Sequence, residues 1–138
     1  MIIELNDKQA RLIAEALEQH SRILCGQVEL SKIPALETAL YRDCRYDDEF
    51  WLRRDTIDIY LKAIKRFAFP ELDRNASYGI GKFPEADLGY EMYKQILYHF
   101  EQKRKEEEKE QYTSNVHSYS PLKLTDEPSI KIEESPKE

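Results

Sequence analysis

The sequence predicts an all-α protein: about four helices packed as a small bundle, followed by a disordered C-terminal tail. Three observations point there. Apolar residues recur at three- and four-residue steps through most of the first hundred positions. Only four glycines interrupt 138 residues, which suits helices better than a loop-rich sandwich or barrel. The last thirty residues mix prolines, serines and charges of both signs with little to bury.

Asn6 or Asp7 is placed to cap the first helix, expected over about residues 7–30. Ala10, Ile13, Leu17, His20, Leu24 and Val28 form its stripe, widened by Leu12, Ala16 and Ile23. Gly26 falls inside this span, where it bends the helix or lets another backbone or a ligand approach. Ser31, Pro34 and Glu37 read as a restart, with Ser31 as cap of a short second helix ending near Arg45. Asp47, Asp48 and Glu49 gather negative charge where a third helix begins. Phe50, Ile57, Leu61, Ile64 and Ala68 follow at helical spacing, and Pro70 stops them. Trp51, Leu52, Ile59 and Tyr60 make this helix apolar on more than one side, so it is either central or shared with a second subunit.

Residues 70–84 (PELDRNASYGIGKFP) form the one long internal loop, a feature that is uncommon and often functional. A fourth helix opens around Pro84, turns Leu88, Met92, Tyr93, Ile96 and Phe100 inward, and runs on past the core. Glu101 with Lys105, Lys103 with Glu107 and Arg104 with Glu108 can pair along that extension as it projects into solvent. The helical domain is thus residues 1–110 and the charged tail 111–138, with Ile130 and Ile132 its only apolar island. One modest core is expected for this length.

Composition excludes several classes. A net charge of −6 argues against general nucleic-acid binding, which needs a basic surface. No apolar run approaches bilayer length, and residues 1–5 are too short and too soon acidic for a signal peptide, so a cytoplasmic protein without membrane partners is expected. Cys25 and Cys44 are read as thiols rather than a disulfide framework. His20, His99 and His117 share no ligand spacing with each other or with the cysteines, so neither a metal nor a cofactor is expected. Gly79-Ile80-Gly81-Lys82 invites comparison with a phosphate loop, but no earlier glycine stands at the required position and Phe83 replaces the metal-binding hydroxyl. No nucleophilic triad is legible, and the protein is read as a binder and not an enzyme. Arg53, Arg54, Lys62, Lys65 and Arg66 on the third helix interleave with Asp55 and Asp58, as on a salt-bridged surface.

What remains is a compact set of amide, hydroxyl, phenol and flexible backbone in the loop. Asn75, Ser77, Tyr78, Gly79 and Lys82, with Arg22, Gly26 and Gln27 from the first helix, are the candidate ligand-binding residues. Asparagine, serine and glycine also make ordinary turns, so the segment reads as a turn or a site.

Residues 4–13 (ELNDKQARLI), 21–27 (SRILCGQ), 77–80 (SYGI) and 90–99 (YEMYKQILYH) together resemble small proteins encoded by tailed bacteriophages. The resemblance spans roughly residues 3–100 and implies a viral accessory protein working in the host cytoplasm. Such proteins often act without catalysis, by binding host proteins or by sequestering nucleotide signals of antiviral defence. The expected partner is therefore a small nucleotide-like ligand, with a homo-oligomer as the expected assembly. The alternative is a protein-protein inhibitor or assembly factor that works through the third helix and the tail on a host or viral protein.

Overall fold

The computed structural model describes residues 1–42 and 45–134. It is all-helical among those residues: α1 (Asp7–Leu24), α2 (Pro34–Tyr41), α3 (Asp48–Ala68) and α4 (Pro84–Glu108), with 3-10 turns at Leu30–Lys32 and Lys109–Gln111. No described helix is long and apolar enough to cross a membrane. The chain divides into two compact units, one made of Met1–Glu18 with Pro84–Glu138 and the other of Gln19–Phe83. The single core expected from length is accordingly two clusters. Each is small, and each is closed by a segment without regular structure.

Asn6 caps α1 reciprocally with Gln9. The Asn6 carboxamide oxygen accepts from the Gln9 amide, and the Gln9 side chain accepts from the Asn6 amide, both at 2.9 Å. The far end corrects the expected boundary near residue 30. Gly26 does not sit inside the helix but ends it, at φ +80°, with its amide donating to the Ile23 carbonyl and the Gln27 amide to that of Arg22. This paired pattern is the Schellman stop, which favours a residue without a Cβ at the left-handed position.

The second boundary also moves. Ser31 lies within the 3-10 turn, and Ile33, which offers no side-chain cap, precedes α2. Pro34 has no amide to satisfy, and the Gln19 side chain accepts from the Ala35 amide at 3.1 Å, so a residue of α1 does the capping. α2 ends at Tyr41 rather than near Arg45, and Cys44 lies outside the described residues. α3 begins as expected, with the Asp47 carboxylate accepting from the Phe50 amide at 2.9 Å.

In the first unit, Ala14 of α1 packs with Tyr93, Ile96 and Phe100 of α4, flanked by Ala10, Leu17, Leu97 and Ile130. The Arg11 guanidinium lies over the Phe100 ring, 4.0 Å from its centroid. In the second, Val28, Leu30 and Leu61 pack with Ile33, Leu36, Leu40, Ile57 and Phe69. Phe50 is fully buried beside an aromatic group of Tyr41, Tyr46 and Trp51. Burial of each such large side chain contributes about 1.5–3 kcal/mol.

The described part of the tail has neither helix nor strand beyond the turn at its start, in keeping with its composition. It nevertheless lies against α4. Glu91, 1% exposed, accepts from Lys123 Nζ (2.5 Å), the Leu124 amide (2.8 Å), the Thr125 amide (2.9 Å) and the Thr125 hydroxyl (3.2 Å). The Ile130 amide donates to Gln95 at 3.1 Å, and Glu134 pairs with His99 at 2.7 Å. The extension of α4 is therefore not bare. Arg104 pairs with Glu108 as expected and also with Glu101, but Lys103 reaches Asp7 and Glu134 rather than Glu107.

Candidate functional site

The candidate residues come together only in part, and all of them lie in the unit formed by Gln19–Phe83. The end of α1 and the loop after α3 are tied at one point, where the Tyr78 amide donates to the Cys25 carbonyl at 2.8 Å. Arg22 and Gln27 meet there, Nη1 to Oε1 at 2.7 Å. Gly26 is buried under Leu72 and Phe69, and a Cβ at this position would stand 2.6 Å from Leu72 Cδ1. The close approach that glycine allows is thus made by the protein's own loop.

Tyr78 is likewise engaged. Its ring meets Phe69 and Phe83 edge-on, Lys82 Nζ sits 4.9 Å from its centroid, and its hydroxyl donates to Glu71. A ring held on several sides anchors the loop. Ser77 and Gly79 are exposed, with nothing near the position of a Gly79 Cβ. Gly81 adopts φ +93°, which identifies residues 79–82 as a glycine-dependent turn.

Asn75 alone of the expected residues lines the cleft of this unit. The cleft, about 330 Å³, is bounded by Val28, Glu29, Ser31, Asp58, Lys62, Lys65, Arg74 and Asn75. Its floor is held by Lys65, which is 5% exposed and donates to the carbonyls of Arg74 (3.0 Å) and Ala76 (2.6 Å). A buried ammonium needs such partners, since an unpaired charge in a dry interior is heavily penalised. One wall is fixed as well, because Asp58 Oδ1 accepts from the Leu30 amide at 3.1 Å. An ammonium has three donor positions and a carboxylate two oxygens, so both groups keep capacity beyond these bonds.

Three cationic side chains, two carboxylates and a carboxamide therefore surround one opening. The set suits a small ligand that carries both an anionic group and hydroxyls or amines. It offers no arrangement of nucleophile and oriented base, and no group of three or more His, Cys, Asp or Glu among the described residues is placed to hold a metal ion.

Reasoning from sequence did not single out Lys62, Lys65 and Arg74 for this cleft. A signal was present for one of them. Ile57, Leu61 and Lys65 are spaced four apart on the buried side of α3, so a lysine stands where the periodicity calls for an apolar residue. Comparison with protein-family models, with curated proteins and with solved structures finds no match for this chain.

Proposed function

We propose that the protein works by binding, and that the cleft over Lys65 takes a small phosphorylated, nucleotide-like ligand. The observation that carries this reading is the buried ammonium of Lys65 at the floor of an opening rimmed by Lys62 and Arg74. These cations would meet the anionic group, Arg74 with a planar fork and Lys62 as a mobile point charge. Asp58 and Glu29 would accept from sugar hydroxyls, and Asn75 would donate or accept at the rim. The residues first singled out from sequence then fall into a supporting role. Arg22, Gly26, Gln27 and Tyr78 fix the loop that brings Arg74 and Asn75 to the opening.

The resemblance to small tailed-phage proteins supplies the biological half of the proposal: an accessory protein that sequesters a nucleotide-derived signal of host defence. Titration calorimetry with nucleoside monophosphates, diphosphates and cyclic phosphates tests the chemistry. Saturable binding is expected for at least one of them, weakened more than tenfold by Lys62→Ala and by Arg74→Ala. The absence of heat from every one, or binding indifferent to both substitutions, would rule the cleft out as a nucleotide site.

A further inference from the structure

The face of α3 opposite its core contacts is apolar and uncovered. Leu52, Ile59, Tyr60, Ala63, Ile64 and Phe67 lie along it, with Thr56 between the first two, and Phe67 is 86% exposed. Tyr60, Ala63, Ile64, Phe67 and Ala68 line a shallow apolar groove at its C-terminal half. At 1.5 Å per residue the stripe from Leu52 to Phe67 is about 22 Å long. An apolar face of that extent, interrupted at Thr56, is an interaction surface, because single exposed apolar residues are ordinary but an aligned row is not.

Charge along one edge of the stripe identifies the occupant. Helical geometry puts Asp48, Asp55, Lys62 and Arg66 on the same side of it, acidic in the N-terminal half and basic in the C-terminal half. Two α3 helices related by a two-fold axis perpendicular to them run antiparallel across their shared contact, and each edge then lies along the same edge of its partner. Asp55 falls opposite Lys62 and Arg66 of the second copy, and the apolar rows meet between them. A parallel two-fold pair would instead set this edge against the other edge of the stripe, so these acids and bases would not face one another. From this self-complementary edge we infer that the stripe of α3 is the interface of an antiparallel homodimer, centred near Ile59. Such an interface is isologous, the same patch on both copies.

Analytical ultracentrifugation of the full chain over a wide concentration range tests this directly. A dimer is expected, converted to monomer by Ile59→Asp and by Phe67→Glu. Both residues are exposed, so the helical circular dichroism of those variants should stay near that of the parent, while their melting temperature should match that of the parent diluted to monomer. Asp55→Arg and Arg66→Asp should each weaken association about tenfold, and the double exchange should recover most of the loss. Ile59→Cys should cross-link to itself on oxidation, whereas Leu52→Cys should not, since the two copies of Leu52 lie about 20 Å apart in this arrangement. Monomers at every concentration, self-cross-linking of Leu52→Cys, or a dimer indifferent to Ile59→Asp and Phe67→Glu would overturn the assignment. So would monomers that bind only a different protein through this face.

Discussion

In each unit a buried charge pins an irregular segment to a helix, and the two are opposite in sign and in what they leave open. Lys65 of α3 holds the loop after it through two carbonyls, while Glu91 of α4 holds the tail through two amides, a hydroxyl and Lys123. The Glu91 carboxylate is saturated by these donors. The Lys65 ammonium keeps a donor position and faces an opening with Lys62, Arg74 and Asn75. The same device therefore yields a saturated clasp in one unit and an open, charged cleft in the other.

No expected effect is larger than that at the clasp. Glu91→Ala leaves the Leu124 and Thr125 amides without their acceptor and Lys123 without its carboxylate partner and should destabilise the first unit by about 3 kcal/mol, read from urea denaturation. Amide exchange should rise along residues 123–134 while the cleft keeps its ligand. The same contact has a pH signature. Burial pushes the Glu91 carboxyl up, but the donors from Lys123, Leu124 and Thr125 outweigh it and hold it at about 2, below its ordinary value of 4.5. A carboxyl depressed on folding contributes stability that is fully present above about 4.5 and is lost as pH falls toward 2. Protection of the tail should fade through that window.

In the other unit, Gly26→Ala combines a positive φ with a Cβ pressed on Leu72 and should cost about 3 kcal/mol. Its mark is a lower melting temperature with looser exchange in residues 70–83 and no change in the tail. Lys65→Met should cost about 2 kcal/mol, since two carbonyls lose a charged donor while the methionine fills the space. Unlike Glu91→Ala, it should also weaken ligand binding. If both substitutions spared the ligand, the distinction between clasp and site would fail.

This contrast also marks how far the sequence could be read. The starts of α1, α3 and α4 were legible because Asn6, Asp47 and Pro84 act within one turn of the helices they open. Gly26 was seen but misplaced, because a glycine in an amphipathic run looks the same whether it bends the helix or ends it. The cap of α2 was not legible at all, since its acceptor is Gln19, 16 residues away. Lys65 and Glu91 pose the harder problem. Each stands among buried residues, and each is made tolerable by partners brought back by later chain, 9 and 11 residues on for Lys65 and 32 to 34 for Glu91. Of the eight residues expected at a site, only Asn75 reaches the cleft, because Tyr78 is held by Phe69 and Phe83, Arg22 and Gln27 meet each other under the loop that Gly26 admits, and Ser77, Gly79 and Lys82 lie exposed elsewhere.

The central claim is that the opening over Lys65 is a ligand site and the pocket of charge around Glu91 is not. Amide chemical-shift mapping during titration with whichever nucleoside phosphate gives the largest calorimetric heat tests it most directly. The account predicts shifts confined to Val28, Glu29, Ser31, Asp58, Lys62, Lys65, Arg74 and Asn75 and their immediate neighbours. Shifts centred on Glu91 and residues 123–125, or none anywhere at saturating ligand, would contradict it.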